Sequence, residues 1–102
     1  MPNNAEKSVA AEIVKARISQ LQSKLQDAAN KAARTKEQYE ELGRTIEELR
    51  KAGVPEDKIK RILERQNQRM QENESAVDEF NRIKARLTEL QELVEILEGG
   101  EQ

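Results

Sequence analysis

The feature that most constrains this sequence is an apolar repeat whose spacings alternate between three and four residues. Such a repeat places its side chains along one side of an α-helix, where they form the seam of a coiled coil, meaning the row that faces a neighbouring helix. It occupies Ala11, Val14, Ile18, Leu21, Leu25, Ala28, Ala32, Thr35, Tyr39, Leu42, Ile46 and Leu49. The sequence therefore predicts a long first helix that needs a helical partner.

A strong break separates this repeat from a second one. Gly53 suits the left-handed position just after a helix, and Pro55 suits the first helical position because proline lacks an N–H. The second repeat consists of Ile59, Leu63, Gln66, Met70, Asn73, Val77, Phe80, Ile83, Leu87, Leu90, Val94 and Leu97. The step from Phe80 to Ile83 is one residue shorter than the alternation requires, which predicts a register slip.

These patterns predict an all-α fold in which two long antiparallel helices form a coiled-coil hairpin. We expect a single domain over residues 1–102, with helix 1 at about 5–51, a turn at 52–55 and helix 2 at about 55–98. Only 2% of the residues are aromatic and 37% are charged, so the core of one hairpin is thin. We therefore expect two hairpins to associate into a four-helix bundle-like dimer.

The predicted pairing also indicates a polar layer inside the seam. Folding back at the turn brings together residues whose numbers sum to about 108, so Thr35 should lie near Asn73, and Leu42 near Gln66. A buried polar layer commonly fixes the register of a coiled coil. Gly43, next to Leu42, is unfavourable within a helix. We interpret it as allowing a close approach between the helices, and the alternative is that it marks a hinge.

The sequence lacks the residues on which several kinds of catalysis usually depend. The chain contains no histidine and no cysteine, so the commonest general base, the thiol nucleophile and the usual zinc ligands are missing. We expect no enzymatic activity, and no catalytic, cofactor-binding or metal site. The sequence lacks a secretory signal, and no apolar stretch approaches the length of a membrane span, so we expect no membrane association and a cytoplasmic location.

The open end of the hairpin, where the two chain termini lie, has more apolar residues than the seam uses. Val9, Ile13 and Ala16 share a second face of helix 1, while Leu93 and Ile96 widen the apolar stripe of helix 2. A second apolar stripe indicates a second partner, here an oligomer interface. The alternative is that these residues belong to frayed helix ends that tolerate apolar side chains. We call these five residues the open-end patch.

The other end of the hairpin is basic. Its cationic residues are Arg50, Lys51, Lys58, Lys60, Arg61, Arg65 and Arg69, which we call the basic tip. We expect a non-enzymatic coiled-coil interaction protein, such as an adaptor, chaperone or inhibitor, that associates with itself and with another protein. The alternative is a small dimeric regulator that binds nucleic acid through the basic tip, although a pI near 5.4 and the scarcity of aromatic residues disfavour it.

Overall fold

A computed structural model describes the backbone of residues 4–99 and the side chains of residues 9–99. It contains two helices, α1 (Asn4–Lys51) and α2 (Glu56–Leu97), joined as an antiparallel hairpin. The predicted all-α coiled-coil hairpin is thereby confirmed, with helix bounds within one residue of those expected. The ends of the predicted domain, 1–3 and 100–102, lie outside the described residues.

Contacts divide the hairpin into two compact units. The closed-end unit comprises residues 28–79 and includes the turn, whereas the open-end unit combines residues from both ends of the chain, described over 4–27 and 80–99. Each unit contains a segment of α1 and a segment of α2.

The turn ends α1 by the capping pattern that glycine favours. Gly53 has a φ of 82°, in the left-handed region, and its N–H donates to the carbonyl of Arg50 over 3.0 Å. The N–H of Val54 donates to the carbonyl of Leu49, also over 3.0 Å. These two bonds form a Schellman motif, which satisfies carbonyl groups that the end of a helix otherwise leaves without partners.

The start of α2 lies one residue later than the sequence predicts. Pro55 precedes the helix, and its carbonyl accepts the N–H groups of Lys58 at 3.1 Å and Ile59 at 3.3 Å. Glu56 and Asp57 then form an acidic first turn. Carboxylates at this position complement the positive end of the helix dipole.

The core of the closed-end unit is strongest beside the turn. Ile59 is fully buried and Ile46 is 3% exposed, so both isoleucines contribute most of their apolar surface to the seam. Farther from the turn, the buried residues are the small Ala28 and Ala76 and the polar Thr35. The apolar core therefore becomes thinner along this unit.

The core of the open-end unit is more uniformly apolar. Ile83, Leu87 and Leu90 of α2 are buried, as is Ala11 of α1. Their spacing of three or four residues is that of the predicted seam.

Burial overturns the predicted register slip. Ala76 is 2% exposed whereas Val77 is 40% exposed, and Met70 is also exposed whereas Arg69 is half-buried. The spacing of three and four residues is therefore unbroken through Ile59, Ile62, Gln66, Arg69, Asn73, Ala76, Phe80, Ile83, Leu87, Leu90, Val94 and Leu97. The prediction was wrong because it chose Met70 over the charged Arg69 and Val77 over the smaller Ala76, whereas the seam uses the arginine and the alanine.

Candidate protein-binding surfaces

Asn73 connects the two helices within the closed-end unit. Its side-chain amide donates to the backbone carbonyl of Ala32 over 2.7 Å and to the Thr35 hydroxyl over 3.2 Å. The Thr35 hydroxyl donates to the carbonyl of Lys31 over 2.8 Å. The predicted polar layer of Thr35 and Asn73 is confirmed, and no buried side-chain polar atom among the described residues lacks a hydrogen-bond partner.

Gln66 forms a second polar connection in the same unit. Its amide donates to the backbone carbonyl of Tyr39 over 3.3 Å. A Cβ atom added at Gly43 would lie 2.9 Å from Nε2 of Gln66, which is closer than ordinary van der Waals contact. Gly43 therefore allows the close approach that the sequence predicted. Leu42, which the sequence places near Gln66, lines a surface groove together with Arg65 and Arg69.

Part of the basic tip is neutralised by ion pairs. Arg50 donates from Nε and Nη2 to the two carboxylate oxygens of Glu56, over 2.8 and 3.2 Å. The hydrogen bond and the attraction to the guanidinium lower the pKa of Glu56, and the same contact raises the pKa of Arg50. Arg69 is half-buried and donates to Glu72 over 2.9 Å. These two arginines are therefore poor candidates for contact with an external anion.

The rest of the basic tip is exposed. These residues form no ion pair with any described residue, and they are Lys51, Lys58, Lys60, Arg61 and Arg65. Lys51 is the last residue of α1, and the other four residues lie on the first three turns of α2. The structure thus leaves five of the seven predicted tip residues available to a partner.

All five residues of the open-end patch lie in the open-end unit and are exposed. The exposed fractions are 60% for Val9, 65% for Ile13, 45% for Leu93 and 52% for Ile96, and Ala16 is also exposed. Large apolar side chains this exposed on one small unit are characteristic of surfaces that bind protein.

Acidic residues are sequence neighbours of the patch residues in both helices. Lys15 of α1 donates to Glu98 of α2 over 3.1 Å and lies 3.9 Å from Glu12. Glu92 and Glu95 are exposed and form no ion pair with the described residues. The open-end unit therefore presents exposed apolar side chains together with charged ones, a mixture that protein interfaces commonly show.

The structure also reveals an apolar surface that the sequence reading placed inside the seam. Met70 is 41% exposed, Val77 is 40% exposed and Leu63 is half-buried, so these residues form a row beside the seam of α2, which we call the flank row. Their seven-residue spacing is visible in the sequence, but it equally fits a seam. Only the exposure of these side chains in the folded structure shows that the row lies outside it.

The described part of the chain contains neither a metal-binding cluster nor a membrane-spanning helix. Its residues include no group of three or more His, Cys, Asp or Glu side chains that could hold a metal ion. No helix there is long and apolar enough to cross a membrane.

Comparisons of this chain with protein-family models, with curated proteins and with solved structures found no match.

Proposed function

We propose that this protein is a non-enzymatic coiled-coil interaction protein that self-associates through the open-end patch. The observation that carries the proposal is the exposure of four large apolar side chains, Val9, Ile13, Leu93 and Ile96, on the open-end unit. Covering them removes apolar surface from water, which is the main favourable contribution to association. A second copy supplies the same apolar surface, as the two-fold symmetric interfaces of most homodimers require.

The exposed acidic residues next to Leu93 and Ile96 limit the extent of this interface. Glu92 and Glu95 stay solvated at the rim, because burying an unpaired carboxylate is costly. The resulting dimer contains four helices around the patch and acts as an adaptor, chaperone or inhibitor towards another protein. Its location in the cytoplasm is part of the same proposal.

The test is the molar mass in solution. Size-exclusion chromatography with light scattering at tens of micromolar should give about twice the 11.7 kDa of one chain. Ile13→Glu and Leu93→Glu should each shift the protein towards the monomer, because each places a carboxylate in the patch. Val77→Glu is the matched control, since Val77 is similarly exposed but lies in the closed-end unit. A monomeric wild-type protein would contradict the proposal.

A second candidate function is nucleic-acid binding through the basic tip. The observation that favours it is the group of five exposed basic side chains without ion pairs, described above. Lys and Arg side chains that neutralise phosphates release counterions, so such binding weakens steeply as salt increases.

Fluorescence anisotropy with a labelled DNA duplex tests this candidate. Binding should fall with salt and should be lost when Lys58, Lys60, Arg61 and Arg65 are all changed to glutamine. Arg50→Gln is the control, because Arg50 is already paired with Glu56. Binding that does not respond to salt would dismiss the candidate.

A further inference from the structure

Between Ile59 and Val77, α2 carries two rows of side chains with the spacing of a seam. The row that faces α1 consists of Ile59, Ile62, Gln66, Arg69, Asn73 and Ala76. The second row consists of Ile59, Leu63, Gln66, Met70, Asn73 and Val77. The rows share three residues, and the flank row supplies the other three members of the second row. The next residue at the same seven-residue period is Lys84, which is polar, so the second row ends with the closed-end unit.

We infer that α2 can rotate about its own axis in the closed-end unit and exchange one row for the other. Neighbouring residues lie about 100° apart around a helix, so moving from one row to the other requires a rotation of about 50°. The rotation brings Met70 and Val77 into the seam and moves Arg69 and Ala76 out of it. The closed-end unit is therefore a two-state element, which displays the flank row in one state and buries it in the other.

Apolar burial favours the rotated state. Met70 and Val77 are about two-fifths exposed in the observed state, while the seam positions beside them hold an alanine and an arginine. Rotation would bury the larger apolar side chains and return the Arg69 guanidinium to water. Both changes are favourable, because apolar surface gains by burial and a charged group gains by solvation.

Two amides hold the observed state. Asn73 donates to the carbonyl of Ala32 and to Thr35, and Gln66 donates to the carbonyl of Tyr39. These bonds depend on the direction of each side chain, so rotation breaks them, although both residues belong to both rows. Gln66 and Asn73 thus act as catches that oppose the rotation.

The closed-end unit has room for the exchange on both sides of α2. A groove of about 420 Å³ is lined by Leu63 and Gln66 and by Gly43 and Ile46 of α1, so Leu63 has open space beside it through which to turn towards the seam. A second groove, of about 240 Å³, is lined by Arg69 and by Glu41 and Thr45 of α1. Arg69 already lines this second groove, and rotation would carry its side chain farther from the seam, towards the exposed carboxylate of Glu41.

Disulfide cross-linking tests the inference directly, because the chain has no cysteine of its own. The pair Ala32→Cys and Ala76→Cys reports the observed row, and the pair Ala32→Cys and Val77→Cys reports the rotated row. In the otherwise unchanged protein, the first pair should form its disulfide about tenfold faster, because cysteines whose Cβ atoms point apart do not bridge without backbone movement.

Gln66→Leu together with Asn73→Leu removes both catches and should lower that rate ratio about tenfold or reverse it. Asn67→Leu together with Gln71→Leu is the matched control, because both residues are exposed and on the same helix, and it should leave the ratio unchanged. An unchanged ratio in the catch variant, with helical circular dichroism retained, would overturn the inference.

A second measurement avoids the cysteines. Met70 is one of only two methionines, so its ¹³C-labelled methyl group gives a resolved NMR signal whose broadening by a soluble paramagnetic agent measures exposure. The broadening should fall at least about twofold when both catches are removed, as the methyl enters the seam. If the double substitution impaired folding, Asn73→Leu alone would support the same measurement. Broadening equal to that of the unchanged protein, in either folded variant, would reject the rotation.

Discussion

At the scale of single residues, polar contacts of the closed-end unit determine how near the helices come. Gly43 lies beside Gln66, whose amide reaches the carbonyl of Tyr39. A side chain at position 43 would compete with that amide for the same space. Gly43 therefore lowers the helix propensity of α1 but leaves room for the hydrogen bond from Gln66 to the carbonyl of Tyr39.

We predict that Gly43→Ala alone leaves the free energy of unfolding nearly unchanged. Better helix propensity should contribute about 1 kcal/mol, and displacement of the Gln66 amide should cost about the same. In a Gln66→Ala background, the same Gly43→Ala change should stabilise the protein by about 1 kcal/mol, since the competing amide is gone. Urea denaturation of the four proteins measures the coupling. Equal effects of Gly43→Ala in both backgrounds would contradict it.

The ion pair between Arg50 and Glu56 should make a small, pH-dependent contribution. Because the folded-state pKa of Glu56 is lowered, the contribution is fully present above the ordinary glutamate pKa of about 4.3 and is lost as the pH falls through the folded-state value. NMR titration of the Glu56 carboxylate should give a midpoint below that ordinary value. In Arg50→Gln the midpoint should rise. A midpoint that Arg50→Gln leaves in place would show that the guanidinium is not the cause.

At the scale of the helices, the choice between Ala76 and Val77 defines the seam of α2. Ala76 is buried and Val77 is exposed, so the two neighbours should respond very differently to a charge.

Ala76→Glu should lower the free energy of unfolding by more than about 1 kcal/mol, because the carboxylate is disfavoured in the seam and a rotation that removes it breaks the hydrogen bonds of Gln66 and Asn73. Val77→Glu should cost less than about 1 kcal/mol. Chemical denaturation followed by circular dichroism at 222 nm compares the two. A larger loss of stability for Val77→Glu than for Ala76→Glu would instead place Val77 in the seam, as the sequence predicted.

The helices, the turn and the polar layer could be predicted from the sequence because each leaves a local signal. Gly53 and Pro55 mark the turn, and antiparallel pairing then places Thr35 beside Asn73. The choice of Ala76 over Val77 had no such signal, since both spacings fit the repeat and the larger residue has the greater apolar surface. The exposure of the open-end patch followed from its position outside the seam, whereas the ion pairs of Arg50 and Arg69 depend on side-chain directions that spacing does not define.

At the scale of the whole molecule, stability should differ between the two units. The open-end unit has a seam of buried leucine and isoleucine, whereas the closed-end unit contains Gln66, Arg69 and Asn73 at consecutive seam positions. Local opening requires less free energy where less apolar surface is buried.

Native-state hydrogen exchange should therefore be faster in the polar stretch of the closed-end unit. We expect amides of residues 66–73 to be protected about tenfold less than amides of residues 83–90. Mass spectrometry of proteolytic fragments resolves the two segments. Equal protection would mean that the helix opens as one cooperative element.

The turn has a consequence for chirality. The φ of Gly53 is one that D-amino acids favour and L-amino acids rarely adopt. An L-alanine there would find no atom within 4 Å of its Cβ, yet its backbone would still be strained. A D-alanine prefers that conformation and also restricts the unfolded chain, so a chemically synthesised protein carrying it should gain about 0.4–1 kcal/mol. At this turn, the backbone adopts a conformation that belongs to the opposite enantiomer.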